Sequence, residues 1–260
     1  NRYEPFAPKE LVEFLGKKDI RQVRPGDQAL LRASLALIDM ADFQAVREST
    51  GEEELFRRIN QSLQVMIPIV KEKGGQILSF YQGGMTVFFP GQGTVAVSCM
   101  MQILDELKNR GCGVYHGGMD YREIRLEVAG NEERMDFTVG QEEWQEVKEM
   151  QKYYATHGLG LIAGSDLIRK MEEEGDRRLN RFLGKAPHWE EKSELYEILP
   201  EENQEQFRLC METAEDFEWG VRAYLQGNFR ESRECFAKIL RKNRYDKAAQ
   251  MYFTACDQKL

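Results

Sequence analysis

Residues 74–90, GGQILSFYQGGMTVFFP, hold two short apolar runs around a glycine-rich centre, and no other segment restricts the fold as strongly. Ile77 to Tyr81 and Met85 to Phe89 read as strands about a tight Gly83-Gly84 turn, with Pro90 and Gly91 ending the second. A two-residue connection joins only antiparallel strands. The sheet that contains this hairpin is therefore not a doubly wound parallel sheet.

The flanking segments supply the rest of a mixed architecture. Ala33 to Ile38 is an apolar run ending on Asp39, and its length suits a buried strand. Leu55, Ile59, Leu63, Met66, Ile67 and Val70 share one helical face within residues 52–70, and Gly74-Gly75 ends that helix. Residues 93–108 return to helical spacing through Val97, Met101, Leu104 and Leu107. Gly111 to Met119 and Tyr121 to Val128 read as two strands and Asp136 to Val139 as a short one. A polar helix follows over 141–156, then strand-like pieces at 159–163, 180–184 and 194–199. The order strand, helix, strand, strand, helix, strand predicts an α+β, ferredoxin-like βαββαβ core with a mixed sheet and extra strands appended.

The two ends differ from this core. Leu11, Val12, Phe14 and Leu15 form a short amphipathic stretch that Pro8 opens and Gly16 closes. From about residue 202 the pattern is helical throughout. Gly220, Gly227 and Phe236 fall where a tetratricopeptide helix pair places small, small and aromatic residues, although Arg244 stands where proline usually ends that repeat. One such unit cannot bury its own face, so it is expected to dock on the preceding domain or on a partner. The expected division is 1–28, 29–200 and 201–260.

Composition narrows the functional classes. The chain has 260 residues, 42% of them hydrophobic and 31% charged, which is enough apolar material for a real core. Its formal net charge of −8 disfavours nucleic-acid backbones and anionic membrane surfaces as partners. Five cysteines without a CxxC spacing read as reduced thiols in a cytoplasmic protein. His116, His157 and His188 have no metal-site spacing, and His116 reads as structural. No apolar run approaches the ~18 residues that span a bilayer, so no membrane contact by this chain is expected.

Four segments together resemble class III adenylate and guanylate cyclases, especially bacterial ones. RYEPFAPKELVEFLGKKDIRQVRPGDQ (2–28) looks like the segment that precedes the catalytic domain in many bacterial members. LALIDMADF (35–43) is similar to the strand ending in Asp-Ile-x-x-Phe, and residues 74–90 match the hairpin without gaps. GNEERMDFTVG (130–140) resembles the loop and strand G-S-E-E-R-x-D-Y-T-V-I-G. The resemblance covers roughly residues 2–200. The order of the pieces makes it specific.

The resemblance also implies a damaged site. In the family, two aspartates hold two divalent metals; Asp39 matches the first, but Gly83 stands at the second. Ser79 replaces a purine-reading lysine, Glu142 an adenine-reading aspartate and Gln145 a ribose-orienting asparagine. Glu149 stands where an arginine stabilises the pentavalent phosphate, unless a slip of one residue puts Lys148 there. Asp42 adds a negative charge to the turn that would receive the triphosphate, and Trp189 and Glu190 replace a Lys-Gly loop.

The expectation is a catalytically silent cyclase-like signalling module, the cytoplasmic part of a larger protein. It would homodimerise or pair with another cyclase-type domain. The alternatives are residual cyclase activity on ATP or GTP, with Mg or Mn as the only cofactor needed, and nucleotide sensing through Ser79, Glu142 and Gln145 without turnover. Phe80, Tyr81, Phe88 and Phe89 read as core or dimer interface, and Trp219, Tyr224 and Phe236 as packing residues.

Overall fold

The computed structural model describes residues 9–131, 133–185, 194–200 and 204–260. Helix α1 (Lys9–Phe14) follows the amphipathic stretch, and Gly16 turns the chain with φ +71°. The expected opening at Pro8 lies outside the described residues. Strand β1 (Gln28–Met40) is longer than the apolar run that announces it. Its first half alternates between exposed and half-buried positions, and only the second half is buried on both sides.

Next come helices α2 (Phe43–Thr50) and α3 (Glu52–Glu72), strands β2 (Gln76–Tyr81) and β3 (Gly84–Pro90), and helix α4 (Thr94–Asn109). Helix α2 has no fully buried residue, and only Phe43 and Val46 pack half-buried on the core, too few to announce it as an apolar stripe. The hairpin loop is Gln82-Gly83, not Gly83-Gly84. Tyr81 pairs with Gly84, and Gln82 and Gly83 take φ values of +43° and +79°. Positive φ at both central residues is the two-residue turn whose twist matches that of the strands. Gly84 serves a different purpose as the first residue of β3. A Cβ there would collide with the Ile38 carbonyl oxygen, so only glycine lets the hairpin lie this close to β1.

Residues 115–130 form one strand, β4 (Tyr115–Gly130), rather than the two expected on either side of Asp120. Asp120 does not break it because its carboxylate is satisfied inside the protein. It accepts from the Tyr121 amide at 2.8 Å, from Arg122 Nε at 2.9 Å and from the Leu167 amide at 3.3 Å. Burial nevertheless pushes the Asp120 carboxyl pKa up. Arg122 also pairs with Glu146 of the polar helix that begins at Gln141.

Strand β5 (Met135–Val139) and helix α5 (Gln141–Ala155) match expectation, as do strands β6 (Leu161–Gly164), β7 (Asn180–Lys185) and β8 (Glu194–Ile198). Helix α6 (Ser165–Glu173), between β6 and β7, was not foreseen. The sheet runs β2-β3-β1-β4-β6-β8-β7, with β5 on β4. Strand β1 lies antiparallel between β3 and β4, and β4 pairs parallel with β6. The fold is therefore α+β with a mixed sheet.

Two cores form on the two faces of the sheet. One packs α3, α4 and α6 on Ile38, Val87, Phe89 and Met119. The other packs α5 and the C-terminal helices on Leu35, Leu37, Phe88 and Leu183. Phe88 and Phe89 are adjacent and each fully buried, one per core. This follows from the two-residue period of a strand. Side chains of this size each contribute roughly 1.5–3 kcal/mol on burial.

The chain ends in helices α7 (Gln204–Glu212), α8 (Ala214–Leu225), α9 (Phe229–Lys242) and α10 (Lys247–Asp257). They dock on the domain that precedes them. The Tyr252 ring stacks on Phe236 at 4.9 Å, and its hydroxyl donates to the Leu183 carbonyl of β7. Gly220 lets α9 approach closely, since a Cβ there would sit 2.9 Å from Phe236. Trp219, expected to pack, is 58% exposed and donates from Nε1 to Glu231 at 2.9 Å.

A buried ion triad fastens this junction. Arg181 of β7 lies 2.6 Å from Glu197 of β8 and 2.6 Å from Asp246, the N-cap of α10. The Arg181 guanidinium also covers the Phe217 ring at 4.3 Å.

Candidate functional site

Asp39 lies near the end of β1, directly opposite His116 of β4. It is 9% exposed. Its Oδ1 accepts a hydrogen bond from Gln151 Nε2 of α5 at 2.5 Å. Burial raises the Asp39 pKa to about 6, and the Gln151 bond only partly offsets this. His116 donates from Nδ1 to the Leu159 carbonyl at 2.5 Å, and burial lowers its pKa. It is thus a satisfied, buried imidazole, which agrees with the structural reading.

Gly83 brings no ligand to Asp39. The turn it occupies is held by backbone and hydroxyl contacts instead. The Met40 amide donates to the Gln82 carbonyl at 3.2 Å, and the buried Tyr115 hydroxyl donates to the Gly83 carbonyl at 3.2 Å. A Cβ on Gly83 would sit 3.3 Å from Met40 Cβ.

Beside Asp39 opens a cleft of about 1060 Å³. Asp42, Phe43, Arg47 and Glu48 line it from the α2 side, with Gln82, His116, Gln151, Lys152 and Lys247. None of Ser79, Gln145 and Glu149 lines it. The Ser79 hydroxyl shares a hydrogen bond of 2.6 Å with Thr86 across the hairpin. Gln145 is exposed and donates to Glu149 at 2.7 Å, one helical turn away. The structure therefore does not bring Ser79, Gln145 and Glu149 to Asp39. Glu142 belongs to α5, but its side chain lies outside the described residues, as do Trp189, Glu190 and His188. Lys148 sits over the Tyr81 ring at 5.1 Å, on the hairpin rather than in the cleft. Of the hairpin aromatics, Phe88 and Phe89 are core, whereas Phe80 is 60% exposed.

A two-metal centre does not fit these residues. At the end of β1 Asp39 faces the cleft with an amide already on one of its oxygens, and the hairpin turn adds no carboxylate beside it. Among the described residues, no group of three or more His, Cys, Asp or Glu side chains could hold a metal ion.

Gln151 escaped the sequence reading. Trp144, Val147 and Met150 mark the buried face of α5, and Gln151 continues it with a polar group. A glutamine on an apolar stripe needs a buried partner, and that was the available signal.

This architecture is the fold of adenylyl and guanylyl cyclase catalytic domains. It is similar to a bacterial light-regulated adenylyl cyclase, with TM-score 0.64 and 17% identity over 76% of this chain and 60% of that one. The chain thus spans about three-fifths of that structure's length. The adenylyl cyclase CyaB from P. aeruginosa matches with TM-score 0.57 and 16% identity, over 66% of this chain and 95% of that one. The guanylate cyclase domain of RhGC from Catenaria anguillulae, solved with GTP, matches with TM-score 0.55 and 10% identity, over 65% of this chain and 97% of that one. No protein-family model and no curated protein matches the sequence. Among the described residues, no helix is long and apolar enough to cross a membrane.

Proposed function

We propose that this chain is a cyclase-like domain that has lost turnover and serves as a signalling or regulatory module, pairing with itself or with another cyclase-type domain in the cytoplasm. One observation carries the reading: Asp39 is buried under Gln151, and Gly83 offers no second carboxylate. One buried carboxylate already bonded to an amide, with no partner carboxylate at the hairpin turn, is poorly suited to clamp two divalent ions against a polyanionic nucleotide. The exposed Glu149 supports the same reading, because it places a negative charge where the resemblance implies an arginine. The α8–α9 pair, tetratricopeptide-like in its small and aromatic positions, would then be a docked extension of the domain.

The test is incubation with ATP or GTP and manganese. No cyclic nucleotide is expected. Turnover that disappears in Asp39→Ala would overturn the reading in favour of a residual cyclase. Light scattering of the purified chain, alone and mixed with an active cyclase domain, measures the expected self- or cross-pairing.

A second reading, nucleotide binding without turnover, is favoured by the open cleft of about 1060 Å³ beside Asp39. Calorimetry with a nucleotide panel separates it from a pure interaction module, which gives no binding heat.

A further inference from the structure

The cleft beside Asp39 is completed by a residue from outside the cyclase-type core. Lys247, the first residue of α10, lines it together with Lys152 of α5. We propose that Lys247 is a ligand-contacting residue, and that the C-terminal helices thereby supply a cation for the phosphates of an oligophosphate-bearing ligand, without metal. This rests on the reading of the cleft as a nucleotide site.

The placement of Lys247 is built, not incidental. The residue before it, Asp246, is buried at 3% exposure, receives both Nη atoms of Arg181 and caps α10 by accepting from the Ala249 amide at 3.0 Å. The start of α10 is therefore fixed relative to the sheet. The Lys247 stem passes the loop after α5, where a Cβ on Gly158 would sit 3.8 Å from Lys247 Cδ.

Charge points the same way. The chain carries eight more formal negative charges than positive ones, and several of its exposed cations, Arg57, Arg110, Arg208 and Arg222 among them, pair with a carboxylate on their own helix. Lys152 and Lys247 form no ion pair among the described residues, although they come from different elements and line one cleft. The lining acids Asp42 and Glu48 belong to the α2 segment, as does Arg47, which pairs with Glu52 at 3.3 Å, so Lys152 and Lys247 are the lining cations from outside that segment. Two ammonium groups without carboxylate partners at the mouth of a cleft, that of Lys247 held by the Gln250 amide oxygen at 3.5 Å, suit phosphate oxygens.

The experiment is binding in EDTA at low salt, with ATP, inorganic tripolyphosphate and adenosine as separate probes. Wild type is expected to bind ATP and tripolyphosphate but not adenosine, more weakly as salt rises. Lys247→Ala should weaken both about fivefold and Lys247→Glu more than tenfold, from the loss and reversal of one charge contact. Lys238→Ala, at a lysine paired with Asp216 on the helical pair, should change nothing. Lys247 is exposed, so circular dichroism should show all three variants folded. Binding that survives Lys247→Glu unchanged would overturn this assignment and leave the nucleotide reading standing. Wild type that binds neither ATP nor tripolyphosphate, with or without manganese, would overturn both.

Discussion

The side-chain amide of Gln151 donates to Asp39 Oδ1 at 2.5 Å, tying the last turns of α5 to the end of β1. A carboxylate in that position is costly, because burial raises its pKa to about 6. The folded state therefore holds the Asp39 proton more tightly than the unfolded chain does. The contribution to stability is greatest below an unfolded value near 4, falls as pH rises from there to about 6, and is level above that.

Asp39→Asn should remove this penalty while keeping an oxygen to accept from Gln151. At pH 8 the gain is on the order of 2–3 kcal/mol, or several degrees in Tm. At pH 4 the variant and the wild type should melt together. Thermal unfolding across that range checks the prediction, and a variant less stable at pH 8 contradicts it.

The two hairpin glycines should respond differently to substitution. Gly83→Asp puts a residue tolerated in the left-handed region at φ +79°, with Met40 giving way slightly. It should cost about 1–2 kcal/mol and leave the fold intact. Gly84→Ala drives a methyl into the Ile38 carbonyl and should cost more, about 3 kcal/mol or above, or shift the hairpin off β1. Denaturant melts of the two variants compare them directly.

Arg181→Ala leaves Glu197 and Asp246 buried without their shared cation, and opens a space beside Phe217. Breaking such a triad from one side should cost about 3–5 kcal/mol. The loss should appear first as exchange of amides in α8 to α10, because the triad joins those helices to the sheet. Hydrogen exchange by mass spectrometry would locate it. Uniform protection across the chain would show that the triad is not the junction's fastening.

Gly220→Leu should separate α8 from α9, since Phe236 already stands 2.9 Å from a modest Cβ. A loss of about 1–3 kcal/mol from overpacking is expected, with the sheet strands unaffected in near-ultraviolet or exchange measurements.

Much of the fold was legible because burial repeats with the period of the backbone. The apolar run before Asp39, the hairpin strands and the faces of α3 and α4 all lie where their patterns place them. The errors fall where a tertiary contact outweighs a local signal. Asp120 looked like a break in a strand until the Leu167 amide and Arg122 satisfied it. Gly83-Gly84 looked like the turn, yet Gly84 is required by its contact with Ile38 rather than by the loop. Helix α2 sets only Phe43 and Val46, each half-buried, against the core, too short a stripe to read.

The amino-acid sequence by itself determined the order of elements, the antiparallel hairpin and the absence of a carboxylate at position 83. Those are matters of periodicity and of which atoms a residue has. Only the tertiary structure decided that Gln151 covers Asp39, that Ser79, Gln145 and Glu149 lie away from the cleft, and that Lys247 reaches it. Gln151 is separated from Asp39 by 112 residues. Contacts at that range depend on how the sheet and helices pack, because no local pattern encodes which buried partner a polar side chain meets.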